Sequence, residues 1–289
     1  MLSQRRNWRF QDGVLLVGLT GLAIIATFEV FADIYQIGMR DAENSYVLLA
    51  LPVALWLFWI RRDRLRYVSP TWTPVGPLTV GLGWLTAWYG FDQGHDVLRH
   101  FGALLIVGGA ALTILGLRFV QLFLPAVLAL LFLLPVPGQI RQEIALPLQK
   151  WTASATHFLL ETFNLRLIQD GLVLRINGQD VAVAEACNGM RMVSSLGLVT
   201  FAFVFSVPMR NSLRFAFLLL SPLIALLVNI IRLVPSVLLY GYSEPQIADA
   251  FHDWSGWGML ILALAILWAA LHLLRWLEIP VAPYSAPKA

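Results

Sequence analysis

Three side chains in an otherwise apolar sequence have types that combine into one kind of chemistry: the thiol of Cys187, the guanidinium of Arg232 and the imidazole of His252. A cysteine at the start of a helix and near cationic groups has a stabilised thiolate, which makes it a nucleophile. A histidine can accept the thiol proton and later protonate a departing amine. An arginine can donate hydrogen bonds to the oxyanion that develops on an attacked carbonyl. Together these residue types predict an acyl-transfer site.

Each of these residues also has an ordinary structural explanation. A lone cysteine in an apolar bundle is most often a small buried residue, and an arginine at the end of a membrane span commonly extends toward the headgroups. Arg191 lies four residues after Cys187 on the same helix face and competes with Arg232. His95 and His100 compete for the role of the acid and base. Spacing alone leaves these alternatives open.

Further polar residues are candidates for orienting the site. Asn229 precedes Arg232 by one helical turn and is expected to orient the guanidinium. Glu185 or Asp253 is expected to orient His252, and the sequence does not choose between the two acids.

The composition indicates an integral membrane protein. Of the 289 residues, 58% are hydrophobic and 13% are charged, and the mean hydropathy is +0.72. An ordinary soluble domain carries about 25% charged residues. The single cysteine excludes an intramolecular disulfide framework and a multi-cysteine metal site. The net charge is +3, and the basic residues gather in short loops beside apolar runs. This placement favours a role of these residues in membrane topology over a surface that binds nucleic acid.

A membrane-spanning helix needs roughly 20 mostly apolar residues. The pattern predicts an all-α polytopic protein with about eight spans: Val14–Ala32, Tyr46–Ile60, Gly76–Phe91, Phe101–Leu117, Phe119–Leu134, Gly189–Val207, Leu213–Val234 and Trp254–Leu274. The pair joined at Arg118 has almost no loop. With a cytoplasmic N-terminus, twelve of the 20 basic residues fall on the cytoplasmic side. Among them, Arg61, Arg62, Arg64 and Arg66 follow the second span directly and best satisfy the rule that basic residues near span ends face the cytoplasm.

The long interruption at 136–186 is expected to lie outside the membrane on the far side from the termini. Pro135-Val-Pro-Gly138 ends a span, and Gln142–Asn164 then mixes apolar and polar residues as an interfacial helix does. Alternating residues around Asn177-Gly178 predict a two-residue β-hairpin. This arrangement divides the chain into a five-span bundle (1–135), an extracytoplasmic helix and hairpin (136–186), and a three-span region with a short tail (187–289).

The level of Arg232 in the membrane follows from its distance along the chain. It lies 18 residues after Arg214, which is about 27 Å of helix and close to the full hydrocarbon thickness. Pro235 is expected to kink or end that helix. Cys187, Arg232 and His252 are therefore expected at one level, near the outer interface.

The segments Glu185-Ala-Cys-Asn-Gly-Met-Arg191, Asn229-Ile-Ile-Arg232 and Phe251-His252 closely resemble the exosortase/archaeosortase family in order and spacing. The resemblance covers roughly Phe119–Leu274, including the Pro135–Gly138 exit, the polar helix and the hairpin. Family members usually have serine where Asn188 stands.

The resemblance implies a sortase-like cysteine transpeptidase of a bacterial or archaeal plasma membrane, with both termini cytoplasmic and the site facing outward. Its partners would be exported proteins with a C-terminal signal, namely a short motif such as Pro-Glu-Pro, a transmembrane helix and a basic tail. Cys187 would be the nucleophile, Arg232 the oxyanion or substrate-positioning residue and His252 the acid and base. Membrane lipids are the other expected partner, with no nucleic acid, cofactor or metal. A polytopic transporter, a lipid-linked glycan enzyme and a non-catalytic scaffold remain alternatives.

Overall fold

The computed structural model describes residues 8–183 and 189–277, and this part of the chain contains nine α-helices and three strands. The helices are α1 (Phe10–Ala26), α2 (Phe28–Arg40), α3 (Val47–Trp59), α4 (Val75–Asp92), α5 (Asp96–Ala129), α6 (Gly138–Thr162), α7 (Gly189–Ser206), α8 (Asn211–Tyr242) and α9 (Pro245–Trp276). The strands are β1 (Ile168–Asp170), β2 (Val173–Ile176) and β3 (Gln179–Ala182). The chain forms two compact units, Met1–Pro137 and Gly138–Ala289. The prediction of a mostly helical membrane protein is confirmed.

The number of membrane spans differs from the eight predicted. Two helical stretches of the described residues are long and apolar enough to cross a membrane, Asp96–Leu133 and Asn211–Tyr242. Two bent helix pairs qualify if each counts as one span: Phe10–Ala26 with Phe28–Arg40, bent by 64°, and Pro245–Gly256 with Ile261–Trp276, bent by 46°. The structure therefore supports two to four spans, and eight are not confirmed. One reason is length, since α3 has 13 residues, about 20 Å of helix against about 30 Å of hydrocarbon.

In the first unit, α4 and α5 pack against each other along a seam of glycines spaced seven residues apart. This glycine seam consists of Gly76, Gly83 and Gly90 on α4 and Gly102 and Gly109 on α5. A Cβ atom built at Gly83 would lie 2.8 Å from the carbonyl oxygen of Gly102, and one at Gly109 would lie 2.9 Å from that of Gly76. Small residues allow this approach of two helix backbones, which is a common way for helices to associate in membranes.

Helix α5 is broken at Gly116, whose φ of 72° and ψ of 169° suit a residue without a side chain. Phe101 before the break and Leu131 after it line one apolar cavity of about 340 Å³. A straight helix would separate these two residues by about 45 Å. The helix is therefore sharply bent at Gly116, and the boundary predicted near Arg118 is a break two residues earlier, without a loop.

In the second unit, the predicted helix and hairpin are both present. The helix is α6, and β2 and β3 pair antiparallel with Ile176 opposite Gln179. Asn177 and Gly178 form the turn. Their φ values of 50° and 80° are both positive, as the favoured two-residue hairpin turn for an Asn-Gly sequence requires. A third strand, β1, which the sequence pattern does not predict, pairs with β2.

The sheet is fixed to the C-terminal part of α8 by an apolar cluster. Leu174 and Ile176 of β2 are buried together with Leu233 and Val237 of α8. Asn177 also donates a hydrogen bond from Nδ2 to the carbonyl oxygen of Gly241, at 3.1 Å. The hairpin and α8 are therefore held as one piece.

Two helix boundaries differ from the predictions. Pro235 does not end the helix, because α8 continues to Tyr242, where packing against the hairpin stabilises its last turns. Pro222 removes the amide that would bind the carbonyl of Leu218, and the hydroxyl of Ser221 donates to that carbonyl instead at 2.8 Å. Helix α9 begins at Pro245, a residue favoured in the first helical turn, so His252 lies within the helix and not in a preceding loop.

Candidate functional site

Helices α8 and α9 bring Arg232 and His252 together. Arg232 is buried, with 6% of its surface exposed. Its Nη2 atom donates to the backbone carbonyl of His252 at 2.8 Å and lies 3.2 Å from the ring Nδ1. Two residues that are 20 positions apart in the sequence are thus in direct contact.

The contact between Arg232 and the imidazole ring has a chemical consequence. A guanidinium has only donors, so a hydrogen bond to the ring uses the lone pair of a ring nitrogen. A protonated imidazole would have no lone pair to offer and would place a second positive charge 3.2 Å from the guanidinium. The contact therefore places a donor-only guanidinium directly beside the imidazole ring.

Ser255 completes this arrangement and was not among the residues singled out from the sequence. Its Oγ accepts a hydrogen bond from Nε of Arg232 at 2.9 Å and donates to the carbonyl of His252 at 3.1 Å. Ser255 follows His252 by three residues, which puts both on one helix face. The spacing places the two residues on one face only if both lie in the helix, as they do in α9, which begins at Pro245. The predicted span begins at Trp254 and leaves His252 outside, so it does not indicate Ser255.

Asn229 has a different partner from the one expected. It is buried, and its Nδ2 donates to Oγ1 of Thr152 on α6 at 3.3 Å. The bond ties α6 to α8 one turn before Arg232, while Ser255 takes the orienting position that was expected of Asn229. Within the described residues, the Oδ1 atom of Asn229 has no hydrogen-bond partner.

The remaining candidates fall wholly or partly outside the described residues. Cys187, Glu185 and Asn188 lie in the gap between residues 183 and 189. Arg191 is in the first turn of α7 and Asp253 follows His252 on α9, but their side chains are not among those described.

The competing histidines have partners of their own. In the first unit, His100 is buried and its Nε2 lies 2.9 Å from Oδ2 of Asp33, which also binds Arg99 at 3.0 Å. His95 precedes the first turn of α5. In the second unit, His157 Nδ1 lies 3.7 Å from Glu161. Across residues 8–183 and 189–277, no three His, Cys, Asp or Glu side chains cluster as metal ligands would.

An apolar cluster fixes the helices that carry the site. Leu196 and Val204 of α7, Val228 of α8, and Ala263 and Leu267 of α9 are buried against one another. Residues 207–210 form the turn between α7 and α8, so residues about 18 positions before Ser206 and about 18 positions after Asn211 lie at similar distances from this turn. The start of α7 is therefore level with Asn229.

Comparison with known proteins agrees with the resemblance seen in the sequence. A model of the transmembrane exosortase family matches residues 38–269. No curated protein and no solved structure matches the chain. The matched range includes most of both compact units and the segments that carry Cys187, Arg232 and His252. The chain therefore belongs to the transmembrane exosortase family.

Proposed function

We propose that this chain is a cysteine transpeptidase that cleaves the C-terminal sorting signals of exported proteins at the outer face of a bacterial or archaeal plasma membrane. Cleavage of sorting signals is the general function of the exosortase family. The observation that carries the proposal is the contact of Arg232 with His252 and Ser255. This contact supports the pairing of an oxyanion donor with an imidazole base.

The position of Cys187 in the sequence supports its role as the nucleophile. It precedes Gly189, the first residue of α7, by two residues. Because the start of α7 is level with Asn229, one turn before Arg232, the helix that follows Cys187 in the sequence begins at the level of the guanidinium. A helix N-terminus and a guanidinium both stabilise a thiolate.

The reaction proceeds in two balanced steps. In the first, His252 takes the thiol proton and Sγ attacks the carbonyl carbon of the peptide, while Arg232 donates to the oxyanion. Collapse breaks the C–N bond, and the amine leaves with the proton from His252. In the second step, an acceptor nucleophile loses a proton to His252 and displaces the thiol from the thioester. Cys187 is regenerated and the acyl group is transferred.

The test is to trap the thioester. The substrate is a single-span reporter with an outer motif and an arginine-rich cytoplasmic tail. We expect mass spectrometry to find its N-terminal fragment on Cys187, released by hydroxylamine. Cys187→Ala should accumulate at the wild-type level and leave the reporter uncut, because alanine fits a helix start but cannot form the bond. Full processing by Cys187→Ala would contradict the proposal and favour a scaffold.

A further inference from the structure

The apolar cavity of the first unit, with a volume of about 340 Å³, lies within the bend of helix α5. Residues before and after Gly116 line it, together with Thr79 of α4. The hydroxyl of Thr79 donates to the carbonyl of Val75 in its own helix at 2.7 Å, and the other lining residues have no polar side chain. The cavity therefore suits a hydrocarbon ligand.

The dimensions of the cavity fit one acyl chain and exclude a peptide helix. Before the bend, the lining extends from Phe101 to Leu115, a distance of about 21 Å along the helix. One acyl chain extends through half of the hydrocarbon core, about 15 Å. A helix about 10 Å wide would fill a volume of 340 Å³ in less than one turn. A lipid chain therefore fits, whereas the transmembrane helix of a substrate does not.

Arg118 places a positive charge beside the cavity at the bend. It is exposed, and it lies in the chain between Leu115 and Phe119, which both line the cavity. Within residues 8–183 and 189–277, Arg118 has no hydrogen-bond or ion-pair partner. Its guanidinium is therefore available to an anion.

Arg64 is held one helical turn from Arg118. Its Nη1 atom donates to the carbonyl oxygen of Leu122 at 3.1 Å, and Leu122 follows Arg118 by four residues in the helical stretch between Gly116 and Phe123. This bond uses one of the five N–H donors of the guanidinium. Two positive charges therefore lie near the same part of α5.

The segment that carries Arg64 is also fixed to α5 on the other side of the bend. The amide of Thr71 donates to the carbonyl of Ile114 at 3.1 Å, and the amide of Thr73 donates to that of Thr113 at 3.3 Å. The position of Arg64 relative to the bend is thus set by backbone hydrogen bonds and not by its side chain alone.

We propose that the first unit binds one anionic phospholipid, with an acyl chain in the cavity and the phosphate on Arg118 and Arg64. A guanidinium can bind a phosphate through two parallel hydrogen bonds. Both arginines are predicted to face the cytoplasm, where the membrane surface is negative because of its anionic lipids. The site does not depend on the proposed function, since the Arg232–His252 contact lies in the second unit.

Headgroup recognition is measured by native mass spectrometry of delipidated full-length protein in detergent. The probes are phosphatidylglycerol and phosphatidylethanolamine with identical acyl chains, which differ in net charge. We expect phosphatidylglycerol to bind about 25-fold tighter, because each arginine near a membrane surface strengthens the binding of anionic lipid by about 5-fold. Arg118→Gln and Arg64→Gln should each reduce this preference to about 5-fold, and the double variant should remove it.

Arg62→Gln is the matched control for charge. Arg62 is exposed in the same segment as Arg64, but its guanidinium lies 4.1 Å from the centre of the Trp59 ring. The variant removes the same charge from the same segment and leaves Arg118 and Arg64 in place. It should keep the wild-type preference for phosphatidylglycerol.

The acyl chain is tested by filling the cavity. Gly108 lines the cavity, and a Cβ built there would have no atom within 4 Å. Gly108→Leu should therefore weaken the binding of both lipids by at least 10-fold with the headgroup preference unchanged. Gly108→Ala should weaken it by about 4-fold, the contribution of one methylene group.

Gly81→Leu is the matched control for the cavity. Gly81 lies on α4, and a Cβ there would also have no atom within 4 Å, but Gly81 does not line the cavity. It should bind both lipids as the wild type does. Equal helicity of the two leucine variants by circular dichroism shows that both are folded.

Four results would overturn the inference. Equal binding of the two lipids by the wild type would exclude recognition of the anionic charge, and equal effects of Arg62→Gln and Arg118→Gln would assign the preference to general surface charge. Unchanged binding in Gly108→Leu would place the chain elsewhere. Displacement of phosphatidylglycerol by glycerol phosphate would assign the arginines to a free phosphate. Reporter cleavage enters none of these measurements, so failure of the proposed function is a separate outcome.

Discussion

The hydroxyl of Ser255 gives the sharpest test of the geometry at the site. Its Oγ accepts from Nε of Arg232 at 2.9 Å and donates to the carbonyl of His252 at 3.1 Å. Ser255→Ala removes both bonds and changes little volume. Arg232 then keeps its contacts with the carbonyl and the ring of His252, so the guanidinium stays in the site but loses the bond that orients it through Nε.

The expected magnitude follows from the kind of bond that is lost. A hydrogen bond to a charged group contributes about 1.5–3 kcal/mol. If all of it were used to position Arg232 in the transition state, kcat would fall by roughly 10- to 150-fold. Because one of the guanidinium's other bonds remains, we expect a decrease near the lower end, about 10-fold, with KM unchanged.

The assay is steady-state cleavage of the reporter in proteoliposomes, with kcat and KM determined separately. Ser255→Thr keeps the hydroxyl and should restore kcat to within about 3-fold of wild type. A wild-type kcat in Ser255→Ala would refute the positioning role. Equal impairment of the alanine and threonine variants would refute it too, because it would assign the effect to packing and not to the hydroxyl.

Other substitutions test the remaining parts of the site and its orientation. Arg232→Lys should lower kcat by about 10²-fold or more, since an ammonium lacks the planar pair of donors; wild-type kcat would reduce Arg232 to a generic charge. His252→Ala should lose about 10²–10⁴-fold while alanine variants of the other histidines keep their rates; the reverse pattern in the cleavage assay would move the base elsewhere. In the Cys187→Ala background, an impermeant thiol reagent on intact cells should label a cysteine at Asn177 and not one at Arg64, and opposite labelling would exclude an outer site.

The sequence predicts those parts of the fold that have local causes. The hairpin is confirmed because Asn177-Gly178 adopts positive φ angles that few other dipeptides accept. The end of α8 is mispredicted because the local effect of Pro235 is outweighed by packing of Leu233 and Val237 against the sheet. Such packing brings together residues that are distant in the chain, so no local pattern encodes it.

The same distinction applies to the site. The approach of Arg232 to His252 depends on α8 and α9 packing along their length, which the family resemblance indicates and the local sequence pattern does not. The sequence does not indicate Ser255, because its signal is a spacing of three on a helix that begins nine residues before the predicted span. The bond of Asn229 to Thr152 is not predicted either, because the two residues are 77 positions apart in the sequence.

The glycine seam between α4 and α5 limits how the first unit can deform. Each seam glycine faces backbone atoms of the opposite helix at about 3 Å from where a Cβ would be, so a shift of one turn, about 5.4 Å, would bring side chains into those positions. Shear of packed helices, one of the usual ways in which proteins change shape, is therefore blocked along this contact. The seam ends before Gly116, where the backbone of α5 departs from the helix. We therefore expect α4 and the part of α5 before Gly116 to keep their packing in any change of shape of the first unit.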